Sequence, residues 1–235
     1  MVPTHTRQRW DGIRVVAFQA PEPVQLRKND CHVWSLPLNQ PPSVLMALAQ
    51  TLSEDERQRA DAFRVPAPRR RFILTRGALR MLLGRYLDAE PADFRFGYNE
   101  FGKPFLRTPP AGLRFNVAHS GDHALIAFAD SIDVGVDIEI HSPLDEPHGM
   151  ARMVLSPTEF AHWRQLPDAA RTEAFYDIWT RKEAVAKAFG QGLSMDFTAL
   201  EVGFDEPRDW MLITLGAAPG YSAALAARTR ELRLC

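Results

Sequence analysis

Residues 113–140 read LRFNVAHSGDHALIAFADSIDVGVDIEI, and this run decides the fold class. Three short segments dominated by β-branched, aromatic and small apolar residues are separated by two polar turns. Leu113–His119 (LRFNVAH) is predicted as a strand, Ser120-Gly121-Asp122 as a turn, and His123–Ala129 (HALIAFA) as a second strand. Asp130–Asp133 turns again, and Val134–Ile140 (VGVDIEI) is a third strand. Turn spacing this short predicts a β-meander.

Helices flank that sheet. Residues 172–190 (TEAFYDIWTRKEAVAKAFG) carry Phe175, Ile178/Trp179, Val185/Ala186 and Phe189 at helical spacing, with Gly190 as the stop. Ser156-Pro157-Thr158-Glu159 has the form of a helix start with proline at the first helical position. Upstream, 69–87 is a long helix whose stripe is Phe72, Leu79, Leu83 and Tyr86, with Pro66 and Pro68 read as an interruption before it. Ser53-Glu54-Asp55-Glu56 is a capping box opening a short helix to about Phe63, and 43–52 (SVLMALAQTL) is another helix. Cys31–Leu38, Leu200–Phe204, Trp210–Leu215 and Tyr221–Ala227 complete the predicted strands, and residues 1–30 read as an extension or loosely packed arm. The pattern is α+β, antiparallel sheet packed by helices.

Composition narrows the function classes. At 235 residues the chain is one large domain or two small ones, and a net charge of −1 argues against a dedicated nucleic-acid binder. Cys31 and Cys235 make neither a disulfide framework nor a zinc site. The N-terminus lacks the apolar core of a secretory signal, and no apolar run approaches the roughly 18 residues of a membrane span. A cytoplasmic protein is expected. Of 28 basic residues only Lys28, Lys103, Lys182 and Lys187 are lysine. Seven arginines and no acid fall between Ala62 and Leu87, whereas seven acids and no lysine or arginine fall between Phe115 and Ala151.

In the strand Val134–Ile140, Val134, Val136, Ile138 and Ile140 share one face, and Gly135, Asp137 and Glu139 the other. Two carboxylates on one face, roughly 6–7 Å apart, repel unless solvent screens them or a cation such as Mg²⁺ sits between them. Glu183 and Lys187 lie one turn apart on one helix face. That is an ordinary stabilising pair, or else a third metal carboxylate with a lysine placed to meet an anion. His119 ends a strand, where a packing role and a ligand-binding role are both open.

The order of these pieces is more telling than any one. FNVAHS (115–120), VGVDIE (134–139) and WTRKEAVAK (179–187), with Gly102-Lys103-Pro104 upstream, resemble the Sfp-type 4′-phosphopantetheinyl transferases over about Ser53–Phe204. The resemblance implies two similar α/β halves forming a pseudo-dimer within one chain. These are expected at 31–120 and 121–235, after a 1–30 extension, with the active site between them. It implies transfer of the phosphopantetheine arm of coenzyme A to a serine of an apo acyl or peptidyl carrier protein, releasing adenosine 3′,5′-bisphosphate. Asp137, Glu139 and Glu183 would hold Mg²⁺. Lys187 would meet the leaving phosphate, and Glu183 would act either as a metal ligand or as the base. Arg59, Arg71, Gly102, Lys103, Pro104, His119, Ser120 and Lys187 would bind coenzyme A, with His119, Arg59 and Arg71 at its 3′-phosphate. A carrier would dock between Glu139 and Trp179, where Arg152, Arg164 and Arg171 are candidates, and a monomer is expected. Two positions depart from the family pattern. Ala118 stands where serine is frequent, and Glu56 where some members carry a basic residue.

Two other classes fit less well. A Mg²⁺-dependent nuclease core wants a lysine two residues after the strand acid, but Ile140 and His141 follow Glu139. A nucleotide- or nucleic-acid-binding module would use the arginine cluster, yet it leaves Glu183 and Lys187 without a role.

Overall fold

The computed structural model describes residues 9–10, 14–15, 24–108, 112–190, 194–203, 210–229 and 231–234. The strands are β1 (Arg9–Trp10), β2 (Arg14–Val15), β3 (Asp30–Pro37), β4 (Arg95–Tyr98), β5 (Pro104–Thr108), β6 (Leu113–Ser120), β7 (His123–Asp130), β8 (Val134–Ile140), β9 (Met211–Leu215), β10 (Tyr221–Ala227) and β11 (Arg233–Leu234). The helices are α1 (Pro42–Gln50), α2 (Glu54–Asp61), α3 (Pro66–Leu87), α4 (Pro147–Val154), α5 (Pro157–Trp163) and α6 (Asp168–Phe189).

Among the described residues two sheets form, plus the β4–β5 hairpin. One sheet runs β11-β3-β7-β6, with β2 also on β3; the other runs β1-β9-β10-β8. The expected meander is therefore broken. β6 and β7 pair antiparallel, but β8 leaves them and pairs with β10. Side chains join the two sheets where a ladder would otherwise run. Val136 N donates to Asn116 Oδ1 (2.9 Å), and Ile140 N donates to the Ser120 hydroxyl oxygen (3.1 Å).

Alternation along each strand sorts the core into three layers. On β7, Ala124, Ile126 and Phe128 pack under α1 and α3, while Leu125, Ala127 and Ala129 face the second sheet. On β10, Ala224 and Ala226 pack under α6, while Ala223, Leu225 and Ala227 face the first sheet. β7 and β10 are thus buried on both faces, and both are correspondingly rich in alanine. The result is two α/β halves back to back.

The division expected between residues 120 and 121 separates β7 from β3 and β6, its sheet neighbours. The chain changes sheet at the turn 131–133 instead. The N-terminal arm also differs from its reading. Its described pieces are strands, β1 beside β9 and β2 beside β3, so both sheets take an edge from it. The rest of residues 1–23 lies outside the described residues.

Three further expectations change. Pro66 and Pro68 do not interrupt α3 but sit in its first turn, where a missing N–H costs nothing. Leu200–Gly203 is not a strand, and Phe204 lies outside the described residues. Its backbone is taken by side chains: Val202 N and Gly203 N donate to Glu159 Oε1, and Arg181 Nε donates to Val202 O. Ile140 continues the face of Val134, Val136 and Ile138 but, at the strand end, is exposed.

Among the described residues no helix is long and apolar enough to cross a membrane.

Candidate active site

The site forms where β6 and β8 run side by side and α6 crosses β8. Gly135 fixes that crossing. A Cβ there would lie 2.0 Å from Ala184 O and 2.4 Å from Ala188 N, so α6 rests directly on the bare strand backbone. The close approach brings Glu183 and Lys187 down onto the carboxylate face of β8. α6 itself ends at Gly190, whose φ of 75° lets its N–H turn back to the last carbonyls.

Asp137 is buried, not solvated as half of a strand face would be. Its Oδ1 accepts from Lys187 Nζ at 2.6 Å, and its Oδ2 has no partner among the described residues. Burial raises its pKa from the usual carboxylate value to about 7; Lys187 opposes the rise, and Glu139 and Glu183 add to it. Burial likewise raises Glu183, again against Lys187 and with Glu139. Ser120 donates to Glu139 Oε2 at 2.6 Å while accepting from Ile140 N, which fixes that carboxylate. Asp137, Glu139, Glu183, Lys187 and Ser120 thus come together. Among the described residues no three histidines, cysteines or acids are gathered closely enough to hold a metal ion as they stand.

One residue back along β6, the side chain points the other way. His119 opens onto a cavity of about 550 Å³ between α3, the β4–β5 hairpin and the end of α2. Arg59, Arg71, Gly102, Pro104 and His119 all line it, beside Phe63, Phe72, Thr75, Arg76, Tyr98 and Val117. α3 supplies Arg71, Phe72, Thr75, Arg76 and Leu79, one helical face. The surrounding protein, then the Arg71 and Lys187 charges, hold His119 below the ordinary histidine pKa.

Two lysines of the motifs are differently employed. Lys103 does not line the cavity. Its ammonium donates to Val134 O (3.2 Å) and Ala188 O (3.3 Å), binding the hairpin to β8 and α6, and burial lowers its pKa. Lys182 is fully buried against Glu159 at 2.6 Å and donates to Phe197 O and Leu200 O, so it braces the fold under α6. Glu56, the apparent departure, is buried too. It accepts from Arg80 Nε at 2.5 Å and from Ser53 N, and Arg76 stands 3.6 Å from its other oxygen.

Thr75 and Arg76 line the cavity without belonging to any motif of the sequence. A signal for them is nonetheless present: they lie four and five residues after Arg71, on a helix whose arginines suit an anion. Of the candidate docking arginines, Arg171 is held by Leu166 O, Arg164 O and Asp168. Arg152 and Arg164 are exposed and flank the Phe160 ring at 5.3 and 5.8 Å, with Met153 exposed beside them.

Comparison with known proteins matches both halves. Residues 133–231 match the model of the 4′-phosphopantetheinyl transferase superfamily, and residues 39–131 that of the 4′-phosphopantetheinyl transferase N-terminal region. The chain is 41% identical to the 4′-phosphopantetheinyl transferase HetI of Nostoc sp., over 74% of each chain. It is 31% identical to the 4′-phosphopantetheinyl transferase Sfp of Bacillus subtilis, over 75% of this chain and 87% of that one. It is 35% identical to the 4′-phosphopantetheinyl transferase AcpT of Salmonella typhimurium, over 66% and 80%.

Proposed function

The chain belongs to the 4′-phosphopantetheinyl transferase family, enzymes that load phosphopantetheine onto carrier proteins, and from that premise we propose that it takes the arm from coenzyme A in a Mg²⁺-dependent reaction at the β6–β8–α6 junction. One observation carries the reading. Asp137, a buried carboxylate whose Oδ2 has no partner among the described residues, is paired with Lys187, and β6 sets Ser120 against Glu139 while its neighbour His119 lines an arginine-bearing cavity. A cation-requiring pocket and an anion-requiring pocket side by side suit a pyrophosphate ester whose far end carries another phosphate.

The donor set suits a hard divalent cation in its chemistry, although its carboxylates are not gathered round one point as they stand. It offers only oxygen, from Asp137, Glu139 and Glu183, and Oδ2 of Asp137 has no partner among the described residues. Mg²⁺ held there would offset charge on the pyrophosphate oxygens. The chain's own groups do the rest. A carrier serine hydroxyl attacks the β-phosphorus; its oxygen–phosphorus bond forms as the bond to the bridging oxygen breaks, and adenosine 3′,5′-bisphosphate leaves. Lys187 neutralises charge on the departing phosphate. Glu183, its pKa raised by burial, is suited to accept the serine proton, a role in tension with metal binding. Arg59, Arg71 and His119 hold the 3′-phosphate, guanidinium forks suiting phosphate oxygens. Gly102 and Pro104 form the loop wall. The carrier, an acyl or peptidyl carrier domain, docks on Arg152, Met153 and Arg164, where exposed positive charge borders an apolar patch.

The test is direct. The protein is mixed with coenzyme A, Mg²⁺ and a panel of apo carrier domains, and intact carrier mass is recorded. One phosphopantetheine added per carrier supports the proposal. Transfer at the parent rate after Asp137→Ala or Glu183→Ala, or with Mg²⁺ chelated, refutes it.

A further inference from the structure

The β4–β5 hairpin makes a sheet of its own, and two strands alone hold poorly in water. Its turn, residues 99–103, is braced from within by one side chain. Asn99 Oδ1 accepts from Phe101 N (3.0 Å) and from Lys103 N (2.8 Å), while Asn99 N donates to Lys103 O (3.0 Å). The other end of the same amide leaves the hairpin. Asn99 Nδ2 donates to Gly190 O at 2.8 Å, 91 positions on and in the second half of the molecule.

What the turn reaches is the end of α6. A helix leaves its last carbonyls without partners of its own, and a cation there also meets the negative end of the helix dipole. Asn99 takes Gly190 O, and the Lys103 ammonium takes Ala188 O. Gly190 makes room for both: a Cβ on it would stand 2.8 Å from Asn99 Nδ2 and 3.4 Å from the Lys103 side chain. The Lys103 ammonium also donates to Val134 O, so a single cation bridges β8 and α6. The bridge falls on the crossing itself. Val134 precedes Gly135, and the helix atoms nearest a Cβ at Gly135 include Ala188 N and the Lys187 carbonyl carbon. Gly135 permits the close approach, and Lys103 ties its two sides together. Lys187, whose ammonium meets Asp137 at 2.6 Å, is the residue before Ala188.

We propose that Asn99 and Lys103 are positioning residues for the transfer reaction: they latch the hairpin of the first half onto the α6–β8 crossing and so hold Lys187 against Asp137. The inference rests on the proposed function of that site. It gives the motif lysine a task other than binding coenzyme A, although its neighbours Gly102 and Pro104 line the cavity.

The test follows carrier loading by intact mass in the full chain, with coenzyme A varied at saturating carrier. Lys103→Met keeps the apolar stem and removes the donor; kcat is expected to fall about tenfold to a hundredfold while the KM for coenzyme A stays within about threefold. Asn99→Asp keeps the acceptor that builds the turn but sets a carboxylate oxygen against Gly190 O, so it opens the latch with the hairpin intact; the same split is expected, with kcat down about threefold to tenfold. Lys103→Arg, which keeps donors for two carbonyls, should recover part of the loss. A residue that only stabilised the fold would lower the melting temperature and leave kcat of the folded protein alone. Action through Lys187 also makes the effects non-additive, so in a Lys187→Met background Lys103→Met is expected to cost less than about threefold more. A rise in KM with kcat unchanged would make Lys103 a substrate contact and overturn the proposal. So would kcat within about twofold of the parent in both single variants, or full additivity with Lys187→Met. If the parent loads no carrier, the proposed function falls and takes this inference with it.

Discussion

Replacing Gly135 by alanine tests whether contact between α6 and β8 sets the catalytic geometry. The new Cβ would stand 2.0 Å from Ala184 O and 2.4 Å from Ala188 N, where ordinary contact starts near 3.4 Å. Both obstacles are helix backbone, which no rotamer change removes. The helix must lift by about 1.4 Å, or β8 must recede as far. Lys187 Nζ now lies 2.6 Å from Asp137 Oδ1, so the same displacement opens that pair to about 4 Å, beyond hydrogen-bonding range. Overpacking of this kind costs about 1–3 kcal/mol of stability, which leaves most domains folded. Misplacing reacting groups by about 1 Å costs on the order of a hundredfold in rate. Gly135→Ala is therefore expected to melt somewhat earlier but to lose about a hundredfold in kcat for carrier loading, followed by intact mass. Gly149→Ala, where the nearest atom is 3.4 Å away, is the control and should change neither. A folded Gly135→Ala protein with kcat within about threefold of the parent would refute the argument that the helix-on-strand contact positions these groups.

Other outcomes follow from single residues. Asp137 has its pKa raised to about 7, so its contribution to stability is fully present below the unfolded value and is lost as pH rises through about 7. Without metal, Asp137→Asn should melt higher than the parent at about pH 8, with the gain vanishing below about pH 4; equal melting temperatures at both would contradict the burial argument. His119 is held below its usual pKa, and a phosphate beside it would raise that value, so coenzyme A binding takes up a proton. Affinity should then weaken from about pH 6 to about pH 8 in the parent and stay flat in His119→Ala, and equal use of 3′-dephospho-coenzyme A by the parent would exclude the phosphate contact. Lys182→Met leaves Glu159 charged and buried without its ammonium partner, a loss of about 3–5 kcal/mol in urea unfolding. The double variant Glu159→Gln/Lys182→Met should recover part of it, and a single-variant loss below about 1 kcal/mol would rule out the bracing role.

Local signals carry far in this chain. Val134–Ile140 is legible to the residue because VGVDIEI has strict period-two patterning between two turns. The capping box at Ser53–Glu56 and the helix start at Ser156 are legible because Glu56 and Glu159 each lie three residues from the N-cap they reach back to. Arg59, Arg71, Gly102, Pro104 and His119 are legible through motif resemblance, and they line one cavity although 60 positions separate the first from the last. Sequence misleads where partners are distant along the chain. Turn spacing joins the 134–140 strand to its chain neighbours, but its ladder partner is β10, more than 80 residues on. Lys103 and Lys182 stand inside motifs that suggest chemistry, whereas carbonyl oxygens of other elements hold both.

The sequence by itself determined the family, the alternation of strands and helices, and which residue types were available for cation and anion binding. Those properties depend on patterns of a few residues and on the order of motifs. Only the tertiary structure decided which atoms are engaged and which stay free. It paired Lys187 with Asp137 and left Oδ2 without a described partner. It gave Glu56 to Arg80, with Arg76 3.6 Å from its other oxygen. The physical reason is that a charge's role depends on the distance and burial of every neighbour within several ångströms. Such neighbours come from elements far apart in the chain, whose packing, here α6 lying on Gly135, no local pattern encodes.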